Sequence, residues 1–287
     1  MIDLHCHSTY SDGTDTPAEI VHRAVSGDLF SVALTDHDTV DGVAPFLAEA
    51  RGAAIHAIPG VEISCQGNEG GVHIVGLFVN HEDRHLRTLL HSICEARNDR
   101  NQRIRARLAQ LGHPVDASDL KRFCSGDVLG RPHFARALME GGHCRTMKEA
   151  FDLFLGRGKP AYVPRQVPSY AQGITAIHDA GGVAIWAHPM GRNRRISSIE
   201  DTAHRLREFG IDGLETRYLE YTQQRDREAS RIATELGLLE SGGSDYHGEN
   251  IVGVNLGTGY GKLAVPDAFV APLEERARSY GWRGSAH

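Results

Sequence analysis

MIDLHCHSTYSDG, residues 1–13, is the stretch on which the reading of this chain turns. Ile2–His7 reads as a strand, and alternate residues of a strand point to one face, so His5 and His7 project together. Two imidazoles at that spacing can bind one cation, and they can equally be a hydrogen-bonded pair. A polar loop follows and carries Asp12. Then Thr16, Pro17 and Glu19 write a helix start: an N-cap, a proline at the first helical position and a capping-box acid three residues after the cap.

The same strand-then-helix alternation continues. Further candidate strands are Ser31–Thr35, Ala54–Ser64, Val72–Val79, Gly182–Ala187, Ile211–Glu215 and Gly237–Ser241. Helical patterns lie between most of them, including Ser169–Ala180 and Ser198–Phe209. This alternation predicts an α/β fold with a mainly parallel sheet, open or closed into a barrel. Residues 97–164 break the rhythm with RNDRNQRIRARLAQLG, GRPHFARALMEGG and MKEAFDLFLGRG, all helical in pattern. They read as a helical insertion, which divides the chain into 1–96, 97–164 and 165–287.

Composition sets bounds on function. With 40% apolar and 24% charged residues among 287, the chain reads as globular. A net charge of −6 offers no basic field for stable DNA binding. No apolar run approaches the ~18 residues of a membrane span, and no signal-peptide pattern is present, so a cytoplasmic location is expected. Cys6, Cys65, Cys94, Cys124 and Cys144 are odd in number and form no C-x-x-C pair, which reads as reduced thiols. The 17 histidines are the outlier, and they suggest metal or proton chemistry.

Several of those histidines share an address with carboxylates. Asp12, His37, Glu62, His188, Asp245 and His247 all fall at or just beyond the C-terminal ends of candidate strands. Functional groups of α/β sheets and barrels gather there. His73 lies inside GVHIVGLFV and competes with a reading as a satisfied core histidine. A mixed imidazole and carboxylate set suits Zn, Mn or Fe. Six histidines and three carboxylates exceed the needs of one tetrahedral zinc and could serve two or three ions. HEDRH, residues 81–85, fits the H-E-x-x-H zinc-protease pattern, but Asn80 or His81 is expected to cap a helix there, which denies it the mid-helix context it needs.

MIDLHCHSTYSDGT, ALTDHDTVDG, IPGVEIS, HIVGL, AHP and SGGSDYHG, in that order, resemble the motifs of the polymerase and histidinol phosphatase (PHP) superfamily. The resemblance implies a distorted (β/α)7 barrel with three metals at the C-terminal end of its strands. It implies that His5, His7, Glu62 and Asp245 hold one ion and that Glu62, His73 and His188 hold a second. Asp12, His37 and His247 would hold the third. Asp36 and Asp38 are expected to support His37. Mn2+ is the expected cofactor, two or three ions per chain, with Zn2+ or Fe2+ open. No side chain is assigned as nucleophile, because the expected nucleophile is a metal-bound hydroxide, and none as general acid, because His188 and His247 are expected to be ligands.

GRPHFARALMEGG and AFDLFLGRGKPAYVP resemble the branch of 3′,5′-nucleotide bisphosphate phosphatases and a 5′→3′ exoribonuclease. That likeness implies a metal-dependent phosphoesterase whose partner is a small nucleotide, with short RNA and a histidinol-phosphate-type monophosphate as alternatives. Arg131, Arg194, Arg195, Arg157 and Ser8 are candidate phosphate binders, because arginine's fork pairs with phosphate oxygens. Arg192, Lys159 and Asn250 are weaker candidates, and His133 is expected to orient neighbours. Arg97, Arg100, Arg103, Arg105 and Arg107 spread over more than one helix face and read as a solvated, charge-rich surface.

Overall fold

A computed structural model describes residues 1–67, 70–122, 129–191 and 194–284. Cys124 and Arg192 lie outside them. The chain forms two compact units, one from Met1–Leu90 with Pro168–His287 and the other from His91–Val167.

The first unit is a seven-stranded sheet in sequential order: β1 (Ile2–Cys6), β2 (Ser31–Leu34), β3 (His56–Gly67), β4 (Gly70–Leu77), β5 (Val183–Trp186), β6 (Gly213–Tyr218) and β7 (Leu239–Gly243). The sheet curls back on itself. At the end of β1, Cys6 bridges in parallel to Tyr246, just past β7, and the His7 N–H donates to the Tyr246 carbonyl at 2.9 Å. The result is a distorted barrel. β1, β2 and β3 pair in parallel, as do β5, β6 and β7, whereas β4 runs antiparallel to both its neighbours. The expected strand–helix alternation therefore fails once. Gly67 and Gly70 pair directly, and so short a connection makes a hairpin, since a parallel crossover needs a dozen residues or more. This reversal brings the start of β4, with His73, to the same end of the barrel as the end of β3. β7 starts two residues later than the sequence pattern suggests, because Gly237 takes φ +64° to cap the preceding helix.

Helices α1 (Pro17–Ser26) and α2 (Val43–Ala50) cover the first strands. The Thr16–Glu19 capping box forms as written, a device that contributes about 1 kcal/mol. Ile20, Val21 and Ala24 of α1 and Phe46 of α2 pack with Val32 and Leu34 of β2. A second apolar cluster joins Ile2, Leu4, Ile58, Val75, Leu77, Val183 and Ile185 of four strands to Leu273 and Ala277 of the last helix. Each such buried aliphatic side chain stabilises by about 1.5–3 kcal/mol.

Helix α3 (Arg84–Gln110) begins in this unit and continues into the other. The second unit adds α4 (Ala117–Arg122), α5 (Arg131–Glu140) and α6 (Met147–Ala150), which runs on as a π-helical turn through Leu155. It has its own apolar core, including Ile104, Leu108, Leu120, Phe134, Leu138, Leu155 and Val163. α7 (Tyr170–Asp179), α8 (Ile196–Glu208), α9 (Gln223–Leu236) and α10 (Val270–Ser279) complete the barrel unit. Among the described residues no helix is long and apolar enough to cross a membrane.

The arginine run on α3 is not the solvated face that the sequence suggests. Arg97 and Arg100 are buried. Arg100 Nε donates to the Val163 carbonyl at 3.1 Å, Arg105 Nε to the Val115 carbonyl at 3.0 Å, and Arg107 to the Tyr162 carbonyl. These guanidinium groups satisfy backbone carbonyls of the irregular segments around α3, and the fork geometry of arginine suits it to that task.

Candidate metal centre

Nine side chains singled out in the sequence meet in the barrel unit. Glu62, fully buried on β3, is the hub. Its Oε2 lies 3.5 Å from His5 Nε2, 3.5 Å from His7 Nε2 and 2.7 Å from His37 Nδ1. Its Oε1 lies 2.9 Å from His73 Nδ1 and 3.1 Å from His188 Nε2. Asp245 Oδ1 is 3.4 Å from His5 Nε2 and 3.1 Å from His7 Nε2. Asp12 Oδ1 is 3.2 Å from His247 Nε2, and Asp12 Oδ2 is 3.7 Å from His37 Nε2. His73 is thus no core histidine.

These atoms suit cations better than one another. His5 Nε2, His7 Nε2, Asp12 Oδ1, His37 Nδ1 and Glu62 Oε2 are buried without any hydrogen-bond partner among the described residues. His37 Nδ1 and Glu62 Oε2 are only 2.7 Å apart, yet they make no hydrogen bond. Lone pairs placed close but aimed past each other fit ions between them, because an orphaned buried polar atom otherwise costs about 1–3 kcal/mol. Three overlapping donor groups arise: His7, Asp12, His37 and His247; His5, His7 and Asp245; His37, Glu62 and His73. The donor set therefore fits a multinuclear metal centre of mixed imidazole and carboxylate type. His7 and His37 each fall in two of the groups, whereas the resemblance assigns each of them to one ion.

The electrostatics follow from crowding these groups out of water. Burial raises Glu62 and Asp245, but the surrounding imidazoles outweigh it and hold both carboxylates well below the usual range. Burial drives the His7 ring down to about 3, with help from the nearby His247 and His37 charges. Burial also disfavours charge on His37, yet Glu62 and Asp12 win and lift that ring to about 10. Without cations, protons supply the positive charge the carboxylates require, and metal ions would replace them.

Neighbouring side chains fix the donors in place. Glu215 Oε1 pairs with His5 Nδ1 at 2.8 Å, which leaves Nε2 facing the centre. Glu215 Oε2 accepts the His188 backbone N–H at 2.5 Å. Tyr218 donates its hydroxyl to Asp245 Oδ2 at 2.8 Å. Asp3 accepts from the backbone N–H groups of Ser244 and Gly257 and from the Ser244 hydroxyl, which ties β1 to the loop carrying Asp245. Asp38 accepts the Ser64 N–H at 2.8 Å. His188, Asp245 and Asp38 all have positive φ. A non-glycine residue held there costs about 1–3 kcal/mol, a form of strain that clusters at functional sites. Sequence reading missed Glu215 and Tyr218 as site residues. The signal for Glu215 was an acid closing an apolar strand, as Glu62 does.

The candidate phosphate binders fare unequally. Ser8 is buried; its hydroxyl donates to Asp36 Oδ2 at 2.7 Å and accepts from the Tyr10 N–H. A hydroxyl has one proton, and here Asp36 takes it. Asp36, which also accepts from the Ser8 N–H and the Ser11 hydroxyl, shapes this loop. Arg194 belongs to the barrel unit, where its Nη2 donates to the Gly71 carbonyl at 3.3 Å, two residues from His73. Arg195 is exposed at the start of α8. Arg131 belongs to the helical unit; its Nη1 donates to the Leu155 carbonyl at 3.2 Å and its guanidinium lies over Phe151 and Tyr162. Arg157, also in that unit, is exposed. His133 folds back to accept the Gly130 N–H at 2.9 Å. The HEDRH pattern straddles the start of α3, where Asp83, not Asn80 or His81, accepts the Leu86 N–H as the cap.

A curled β/α sheet with imidazoles and carboxylates at its strand ends defines a metal-binding β/α barrel, and the comparisons give its class, a metal-dependent phosphoesterase. The model of the PHP domain matches residues 3–156, and the chain belongs to that family. It is 36% identical over 249 residues to the 5′-3′ exoribonuclease Rnm of Escherichia coli, covering 86% of this chain and 85% of that one. It is 34% identical over 257 residues to the 3′,5′-nucleoside bisphosphate phosphatase of Chromobacterium violaceum, covering 89% and 90%. A crystal structure from Bifidobacterium adolescentis, described as a metal-dependent phosphoesterase, superposes with a TM-score of 0.79 at 29% identity, covering 96% of each chain.

Proposed function

We propose that the enzyme removes the 3′-phosphate of nucleoside 3′,5′-bisphosphates, such as adenosine 3′,5′-bisphosphate, and releases the 5′-monophosphate and phosphate. The observation that carries this is the gathering of nine metal-type donors around the carboxylates of Glu62, Asp12 and Asp245, with Arg194 beside the β4 strand that bears His73. The likeness to the Chromobacterium violaceum phosphatase supports the choice of substrate.

In this reading His5, His7, Glu62 and Asp245 hold one ion, Glu62, His73 and His188 a second, and Asp12, His37 and His247 a third. Mn2+ suits this oxygen-rich, imidazole-containing set. When bound, the ions activate water and neutralise charge on the phosphoryl oxygens. The remaining work falls to the chain. Glu62 joins two donor groups through its separate oxygens. Glu215 orients the His5 ring and pins the backbone of His188. Tyr218 holds Asp245 toward His5 and His7. Arg194 and Arg195 offer forked cationic donors that bind a phosphate group and orient the substrate.

A second reading, 5′→3′ hydrolysis of short 5′-phosphorylated RNA, is favoured by the likeness to exoribonucleases of Escherichia coli and Haemophilus influenzae, each 36% identical. One assay separates the two. Mn2+-loaded protein is offered adenosine 3′,5′-bisphosphate, AMP and short 5′-phosphorylated RNA, each with and without chelator. Chelator-sensitive phosphate release from the bisphosphate, with AMP left intact, supports the phosphatase. Turnover of RNA alone moves the activity to the exonuclease.

A further inference from the structure

We propose that His113 and His143 form a separate cation site in the helical unit, one that takes a transition-metal dication such as Zn2+. Both residues occupy the same place at the ends of two helices. α3 ends at Gln110 and is followed by Leu111, Gly112 and His113. α5 ends at Glu140 and is followed by Gly141, Gly142 and His143. Gly112 and Gly142 take φ +82° and +72°. The His113 N–H then donates to the Leu108 carbonyl and the His143 N–H to the Leu138 carbonyl, each at 2.9 Å. These are matching six-to-one caps, and they pin the backbone of each histidine before any ligand arrives.

The two caps meet through their side chains. His113 Nδ1 and His143 Nδ1 are 3.1 Å apart, with the rings edge to face. Two nitrogens on one zinc, each at about 2.0–2.1 Å, are separated by about 2.9 Å at a right angle and about 3.4 Å at the tetrahedral angle. The observed spacing falls between these limits. The pair can also share one proton as an N–H···N hydrogen bond, which requires the two rings to be opposite tautomers. Passing from that state to the metal-bound one needs no net proton loss. The donor ring moves its proton from Nδ1 to Nε2, and both Nδ1 lone pairs turn to the ion.

Two further features favour a cation at this point. Each helix C-terminus carries roughly half a negative charge from its aligned peptide dipoles, and here two such ends come together. The Phe154 ring, centroid to centroid 4.6 Å from His113, gives that imidazole an apolar flank. No third histidine, cysteine or carboxylate among the described residues completes a three-ligand group with this pair. Water therefore fills the remaining positions, which makes this a reversible clasp between the end of α3 and the end of α5. Imidazole pairs suit Zn2+, Ni2+ and Cu2+, and do not suit Mg2+ or Ca2+.

The test counts ions on the full chain. Wild type, His113→Gln, His143→Gln and the double variant are dialysed against buffered Zn2+, and bound zinc is measured. Circular dichroism checks the fold. Each single variant should bind one Zn2+ fewer than wild type, and the double variant should lose no more than either single one. An Asp245→Ala protein, defective in the barrel centre, should keep the ion that His113→Gln removes, so failure of the phosphoesterase reading cannot be mistaken for failure of this one. If the variants fold poorly, 15N NMR on wild type answers directly: Zn2+ should shift the Nδ1 resonances of both rings together. Equal zinc counts in folded wild-type and variant proteins, or unmoved Nδ1 resonances, would overturn the site and leave a plain hydrogen bond.

Discussion

Glu215 shows how much of a metal centre is built by residues that never touch the ion. One of its oxygens fixes the His5 ring and the other fixes the His188 backbone. Glu215→Gln keeps the shape but removes the charge that holds His5 with its Nε2 lone pair free. Metal affinity and kcat should each fall about 10–100-fold, with thermal stability nearly unchanged. Metal titration and steady-state rates check this, and an unaltered affinity would deny Glu215 its positioning role. Tyr218→Phe removes one hydrogen bond to Asp245 and should act in the same direction more weakly. Asp245→Ala deletes a donor shared by His5 and His7 and should abolish turnover in a folded protein. Phosphate release from that variant at near wild-type rate would remove Asp245 from the centre.

At the scale of elements, the barrel closes where β7 meets β1, and there is no room in that seam. A Cβ on Gly243 would sit 2.4 Å from His5 Cβ and 2.5 Å from the His5 nitrogen. Gly243→Ala must push the two strands apart, and His5 moves with them. We expect loss of metal binding together with a Tm lowered by several degrees, measured by calorimetry with and without Mn2+. Elsewhere Asp212 ties two helices and a strand together: His178 of α7 at 2.7 Å, Arg276 and Tyr280 of the α10 segment at 2.9 and 2.8 Å, and the β5 N–H of Ala184 at 2.9 Å. Asp212→Ala should cost about 3 kcal/mol in a urea titration, since several bonds to a charged acceptor are lost together. A cost within about 0.5 kcal/mol would mean that its partners rehydrate freely.

The sequence made this barrel legible because strand ends and their ligands coincide, and a period of two sets the face of His5 and His7. It hid the β3–β4 hairpin, since periodicity carries no strand direction and only the shortness of the link excludes a crossover. It hid the partners of Ser8 and of the α3 arginines for a related reason. Whether a polar side chain faces water or satisfies a buried partner depends on tertiary neighbours. Asp36 for Ser8 is 28 residues away, and the Val163 carbonyl for Arg100 is 63 away.

At the scale of the whole molecule, two units with separate apolar cores share one chain, and the nine-donor centre belongs to only one of them. A ligand stabilises the state that binds it by RT ln(1 + [L]/Kd), about 2.7 kcal/mol at 100 times Kd. If each core opens independently, Mn2+ should protect the barrel strands and leave the helical unit as it was. Hydrogen exchange reads this residue by residue. With saturating Mn2+, amides of β1, β3, β6 and β7 should slow by up to about 100-fold, and those of α4 and α5 should not change. Arg100→Ala supplies the converse. It removes the bond from α3 to the Val163 carbonyl, so exchange should quicken in the helical unit while Mn2+ affinity holds. Slowing of α4 and α5 by Mn2+ to the same degree as the strands would mean that the long helix α3 couples the two cores into a single cooperative unit.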